Sequence, residues 1–166
     1  MKFKFEPLHP SGHDRAVFDC GVPELNTYLK RYANQDQKRR LTRVYVLADG
    51  NQIVGFYSLS AHSVLQDNLP KTLNPGGYDD LPFLLLGRLA VDTKYQGQGY
   101  GDSLIFHALQ STVAAAEHIG VLGLIVDAKN ETAISFYEGF GFIRLDSIPN
   151  RLVLPFAAIQ GLLRQV

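Results

Sequence analysis

No stretch of the chain approaches the roughly 18 consecutive apolar residues that a membrane-spanning helix needs. The N-terminus, Met1-Lys2-Phe3-Lys4-Phe5, alternates like a strand and carries neither the apolar core nor the small-residue cleavage site of a secretory signal. A cytoplasmic protein that makes no use of the membrane is therefore expected. Cysteine is nearly missing: Cys20 stands alone, so no internal disulfide can form, in keeping with a reducing compartment. With no histidine beside it in a recognisable motif, Cys20 is expected to be a small buried residue and not a nucleophile. Net charge is missing too. Sixteen Lys and Arg balance 16 Asp and Glu, which leaves the molecule no general attraction for nucleic acid. Repeats, low-complexity tracts and linkers are also lacking, so the 166 residues, 46% of them hydrophobic and 19% charged, are expected to form one globular domain spanning 1–166.

Several kinds of chemistry lack their residues. His9 and His13 share a loop, but no further Cys or His cluster completes a ligand set, and His62, His107 and His118 are scattered. No metal site is expected; the loop histidines read as exposed bystanders and His107 as a surface or core-edge residue. A Gly-x-Ser-x-Gly elbow is missing, which argues against a Ser/His/Asp hydrolase. Acids are missing from the two most apolar runs, Ile53–Ser60 and Leu81–Val91. Asp92 and Asp127 fall at strand ends, where turn and capping roles are at least as common as catalysis.

The residues that are present read as an α/β chain. Phe3–Leu8 is a first strand. Pro23 suits a first helical turn, and Leu25, Tyr28, Leu29, Tyr32 and Ala33 recur at helical spacing until about Lys38. Val44–Ala48, the turn Asp49-Gly50-Asn51 and Ile53–Leu59 make a hairpin. Asp67–Asp80, with two prolines and Gly76-Gly77, is a long loop of the kind that serves function. Leu81–Val91 is a central strand covered on both faces, followed by a helix from about Asp102 to His118 that ends near Gly120, a left-handed cap. Val121–Asp127 is a buried strand, Asn130 caps a short helix with Ala133, Ile134 and Tyr137, and Phe140–Leu145 and Arg151–Leu154 are the last strands.

The loop after the central strand, Gln96-Gly97-Gln98-Gly99-Tyr100-Gly101, carries the clearest chemical signal. Glycines let backbone N–H groups approach an anion, and the helix N-terminus behind them adds unpaired donors and a favourable dipole. A dinucleotide fold would need Gly-x-Gly-x-x-Gly early in the chain and an acid about 20 residues on. A Walker loop would need a Gly-Lys-Ser/Thr ending. Neither is here. A glycine-rich connection with no ligand stays open for the loop taken by itself, as does a packed core aromatic for Tyr137 taken by itself.

Gln96, Gly99 and Gly101 fit the pattern Gln/Arg-x-x-Gly-x-Gly/Ala, and Asn130-x-x-Ala133-x-x-Phe136-Tyr137 followed by Gly139-Phe140-Gly141-Phe142 fits a second one. Together they resemble the two signatures of the GNAT N-acetyltransferases. The resemblance implies the GNAT acyl-CoA N-acyltransferase fold, a mixed α/β arrangement with a central, mostly antiparallel sheet flanked by helices, and acetyl-CoA as cofactor. It also implies that Asn130 contacts the cofactor and that Tyr137 points at its sulfur. Phe18-x-Cys20-Gly21-x-x-x-Leu25-Asn26, Gly55-Phe56-Tyr57-Ser58-Leu59-Ser60 and Leu86-Gly87-Arg88-Leu89-Ala90-Val91-Asp92 are similar more particularly to the GNAT toxins of bacterial toxin–antitoxin pairs, from about Phe18 to Leu154. That resemblance implies acetylation of the α-amino group of aminoacyl-tRNA, restraint by a small DNA-binding antitoxin, and a homodimer. Alternatives are a GNAT enzyme for a small amine, a polyamine or a protein N-terminus, and a non-catalytic acetyl-CoA-binding module.

One physical argument runs beside the resemblance. A lysine amine, with a pKa of about 10.4, needs a strong base before it can attack a thioester, whereas an α-amine at about 7.7–8.0 needs far less help. Central strands without acids suit the second. The expected site has the backbone of Leu89, Ala90 and Val91 holding the pantetheine arm, Gln96, Gly97, Gln98, Gly99, Tyr100 and Gly101 the pyrophosphate, Asn130 fixing the arm and Tyr137 protonating the thiolate. The basic residues Lys30, Arg31, Lys38, Arg39, Arg40 and Arg43 read equally as a solvated helix face or as a patch for tRNA phosphates.

Overall fold

A computed structural model describes residues 3–165; Met1 and Lys2, which open the alternating N-terminus, lie outside the described residues. The strands are β1 (Lys4–Pro7), β2 (Arg43–Asp49), β3 (Gln52–Leu65), β4 (Asp80–Val91), β5 (Gly123–Asp127), β6 (Ile143–Arg144) and β7 (Arg151–Pro155). The helices are α1 (Pro23–Thr27), α2 (Ala33–Lys38), α3 (Tyr100–Ala116), α4 (Glu131–Glu138) and α5 (Phe156–Arg164). Hydrogen bonding orders the strands β1-β2-β3-β4-β5-β7-β6. The β4–β5 pair is parallel, and β1–β2, β2–β3, β5–β7 and β6–β7 are antiparallel. This is the expected mixed, mostly antiparallel sheet with flanking helices. The chain divides into two compact units, one of Met1–Ser60 with Gly87–Ala108, the other of Ala61–Leu86 with Leu109–Val166.

In the first unit, β2 alternates. Val44, Val46 and Ala48 join Phe18, Tyr28, Leu29, Ala33 and Phe56 in one buried cluster. Tyr45 stacks instead on Tyr57, its register partner, at 5.3 Å. The expected helix from Pro23 to Lys38 is interrupted by a π turn, Tyr28–Tyr32. The turn shifts the helical phase, so Tyr28, Leu29 and Ala33 are buried while Tyr32, expected on the same stripe, is 51% exposed. His13 is no exposed bystander: it is buried, and its ring lies 2.6 Å from a Glu6 carboxylate oxygen and accepts the His9 N–H at 3.0 Å.

In the second unit, Leu84, Leu85 and Leu86 of β4 pair with Leu124, Ile125 and Val126. Val64, Leu69, Leu81, Phe83, Ile125, Leu145 and Val153 form its core. The long loop after β3 spans 66–79 and is more ordered than its composition implies, with two 3-10 turns at Gln66–Asn68 and Lys71–Leu73. Gly120 is not left-handed, because α3 already ends at Ala116. Helix α5 follows β7 directly, a helix that no signal in the sequence leads one to expect; Pro155 stands at its N-cap.

Strand β4 is not covered on both faces throughout, since Pro82, Gly87 and Arg88 are exposed. His107 of α3 lies with its Nδ1 2.6 Å from the Tyr57 hydroxyl and stacks on Phe5 at 4.1 Å. Burial holds its pKa below the ordinary 6.5. An unfolded chain takes up a proton below 6.5 that the folded chain resists, so this stability is present above 6.5 and is lost as pH falls through the depressed value. His62 is lowered as well, first by burial and then by Arg151. The thermal midpoint should therefore drop by roughly 2–5 °C between pH 7.5 and 5.5, and less in His107→Gln. Calorimetry at the two pH values checks this, and an unchanged midpoint would contradict it.

Candidate active site

The loop Gln96–Gly101 leads from a short 3-10 turn, Thr93–Tyr95, into the first residues of α3. Gly97 and Gly99 have φ of +77° and +87°, a conformation that side chains resist, and a Cβ built on either would meet nothing within 4 Å. The backbone here is bent for glycine while the space before it is open. The opening N–H groups of α3 have no partner within the helix. An anion fits this cradle without a cation beside it.

The cradle is held by residues that also make up the sequence motifs. Gln96 donates both amide hydrogens to backbone, to the Val91 carbonyl at 2.8 Å and the Cys20 carbonyl at 2.9 Å. Its side chain is thus a clasp, and its backbone faces the cradle. Asp92, 3% exposed, accepts the Lys94 N–H at 2.9 Å and the Asp19 N–H at 3.1 Å. Asn26 accepts the Cys20 N–H and donates to Asp19, both at 2.9 Å. The Phe18 ring packs edge-on to Phe56 at 5.6 Å. Gly55 has no alternative, because a Cβ there would stand 2.8 Å from the Ala90 carbonyl oxygen. The three segments Phe18–Asn26, Gly55–Ser60 and Leu86–Asp92 therefore knit into one support under the loop. Cys20 within it is buried and its thiol is pushed up by burial, which makes it the inert residue expected. Leu89, Ala90 and Val91 lie on the part of β4 past its β5 register, which covers Leu84–Leu86.

In the second unit, Asn130 caps α4, its side-chain oxygen accepting the Ala133 N–H at 2.9 Å. Its amide N–H groups, which the cap does not use, remain for a ligand. Tyr137, on the last turn of α4, is 8% exposed, with Phe136 and Phe142 at 5.2 and 5.5 Å. Burial pushes its phenol up to about 12. Asp127 is no free base: Arg151 grips both its oxygens, at 2.7 and 2.8 Å. With Asp92 occupied by backbone N–H groups, both strand-end acids have structural partners.

The basic residues do not form one patch. Lys30, Arg31, Lys38, Arg39, Arg40 and Arg43 are all exposed. Arg43, however, projects with Tyr45, its guanidinium 5.9 Å from that ring, whereas the helical segment carrying the others packs on the Val44 and Val46 side of β2. Sequence reasoning misses the stabilising roles of Asp19 and Asn26, whose signal is the Asx-type spacing of Asp19 and Gly21 at a turn with φ of +86°. It also assigns no task to Arg88, which lies 3.6 Å over the Tyr28 ring.

Comparison with known proteins matches residues 40–144 to the acetyltransferase (GNAT) domain. A curated relative, "Probable toxin TacT" of Sinorhizobium fredii, is 33% identical over 95% of this chain and 93% of its own. A "tRNA-acetylating toxin" of Mycobacterium tuberculosis is 35% identical over 85% of both. The solved structure of AtaT complexed with acetyl-methionyl-tRNAfMet superposes with a TM-score of 0.89 at 32% identity, covering 98% of this chain and 99% of the other. The glycine cradle, the capped α4 with its buried tyrosine, and these likenesses place the chain in the GNAT acetyltransferase family.

Proposed function

We propose that this chain transfers acetyl from acetyl-CoA to the α-amino group of aminoacyl-tRNA, acting in the cytoplasm as the toxin of a toxin–antitoxin pair. Residues 1–166 would serve as one catalytic domain, with a small DNA-binding antitoxin and a second copy of the chain as partners. The observation that carries the acceptor is the state of the carboxylates: Asp92 is taken up by two backbone N–H groups and Asp127 by Arg151. A site without a free acid suits an amine that is already largely neutral, and an aminoacyl ester amine is more acidic than a free α-amine because the ester withdraws electrons. The relatives named above, a tRNA-acetylating toxin among them, point the same way.

Acetyl-CoA, when bound, supplies an activated acyl group as a thioester. The backbone of Gln96–Gly101 binds its pyrophosphate, and the backbone of Leu89–Val91 holds the arm and polarises the thioester carbonyl. The Asn130 amide fixes the arm. The amine nitrogen forms its bond to the carbonyl carbon as the C–S bond breaks. Tyr137 gives its proton to the leaving sulfur and regains one from solvent, while the amine sheds its own to water.

Radiolabelled acetyl-CoA offered with charged tRNA, deacylated tRNA, lysine peptides and polyamines tests the proposal. Label is expected on charged tRNA alone, released by mild base as an N-acetyl amino acid. Label on peptides or polyamines instead would keep the acetyltransferase and discard the tRNA acceptor.

A further inference from the structure

Three neighbouring features of the first unit play no part in holding the acyl donor. Tyr28 opens the π turn, a geometry that appears mostly where function demands it. It is 4% exposed, and among the described residues its hydroxyl has no hydrogen-bond partner. Burial pushes that phenol up to about 12; Arg88 opposes the rise and Asp36 adds to it without reaching hydrogen-bond geometry. The second feature is Arg88 itself. Its Cζ stands 3.6 Å from the Tyr28 ring centroid, the side chain is exposed, and no hydrogen bond or ion pair engages its guanidinium among the described residues. A cation–π contact of this kind fixes an arginine while leaving its five N–H donors available. The third is Ser58, 1% exposed, whose Oγ also has no partner. Gly87, next to Arg88, lies close against this buried hydroxyl, where a Cβ would stand only 3.0 Å away.

We propose that Arg88, positioned by Tyr28, grips a phosphate of the acceptor's 3′-terminal nucleotides. This rests on the reading of aminoacyl-tRNA as acceptor. A planar guanidinium fork matches two phosphate oxygens, and here it is pre-aligned with nothing competing for it. The donor's pyrophosphate is the less suitable ligand. Arg88 stands three positions before the end of β4 at Val91, about 10 Å of extended chain, and the glycine cradle begins beyond that. The cradle, moreover, is built to take its anion on backbone alone.

The test compares wild type, Arg88→Ala, Arg88→Lys and Tyr28→Leu on charged tRNA and on an aminoacyl-adenosine that carries no phosphate. Arg88→Ala should raise the KM for charged tRNA about 10- to 100-fold, the loss typical of a charged hydrogen-bonded contact. It should reduce the salt slope by about one and leave the KM for acetyl-CoA within about twofold. Arg88→Lys should recover part of the loss, and Tyr28→Leu, which removes the ring beneath the guanidinium, should raise the KM for charged tRNA in the same direction by a smaller factor. On aminoacyl-adenosine all four should agree. An unchanged KM for charged tRNA, a raised KM for acetyl-CoA, or an equal loss on the phosphate-free acceptor would overturn the assignment while the acceptor reading stands. A wild-type enzyme inert towards charged tRNA would overturn both.

Discussion

Tyr137→Phe should lower kcat by about 10²- to 10⁴-fold, the range that a positioned general acid supplies, with little change in the KM for acetyl-CoA. Phenylalanine keeps the ring packed between Phe136 and Phe142, and among the described residues the hydroxyl makes no hydrogen bond that the change would break. The variant should therefore fold and unfold like wild type, and the loss falls on the chemical step. The pH profile depends on the same phenol. Held at about 12 by burial, it stays protonated through the neutral and mildly alkaline range, so it contributes no alkaline decline between about pH 6 and 10. The acceptor amine sets the other limb: kcat/KM should rise with pH to a plateau near or below the pKa of a free α-amine, about 7.7–8.0. Steady-state rates of both proteins across that range check the assignment. Wild-type turnover in the folded variant would remove Tyr137 from the mechanism.

Gly99→Val should weaken acetyl-CoA binding by about 100-fold. Two effects act together. At φ +87° a β-branched residue is strained, which distorts the loop, and the added carbons enter the open space before the backbone N–H groups. Gly99→Ala should lie between. Gly50→Ala is the control, because Gly50 also has a positive φ, +62°, and open space around it, but sits in the β2–β3 turn. Both alanine variants should lose about 1–2 kcal/mol of stability from the backbone alone, and only the change at Gly99 should be felt by the ligand. Titration calorimetry with acetyl-CoA separates the two. Normal affinity in Gly99→Val would mean that the cradle lies elsewhere.

The parts of this site that are legible in sequence are those where one residue type answers one local demand. Gly97 and Gly99 announce positive φ, Asn130 a helix cap, and the acid-free runs a strand interior. Those signals are short-range and survive without knowledge of the fold. The parts that stay hidden depend on partners distant along the chain. Gln96 reads as a ligand contact, but its amide bonds Cys20, 76 positions away, and only the folded backbone brings that carbonyl to it. His13 reads as exposed because nothing in its own loop foretells Glu6 as a partner. Arg43 joins the basic cluster by proximity in number, and the two-residue period of β2 then turns it away from the side on which the Tyr28–Ala33 segment packs. Helix α5 escapes notice because Pro155 both ends β7 and is the N-cap of α5, so no separate loop marks the change.

The π turn at Tyr28–Tyr32 bears on how this protein can change over generations. A π turn accommodates one residue more than the α turn it replaces, so losing a residue there would regularise the segment without remaking β2 or β3. Each residue gained or lost swings the preceding turn by about 100° relative to Ala33 and the rest of α2. Tyr28 would leave the underside of Arg88, while α2 kept its seat. A single-codon deletion, which would also make the buried Tyr28 and Leu29 repack, would thus redirect Arg88 in one step, a route to new acceptor specificity that point substitutions would reach only in several.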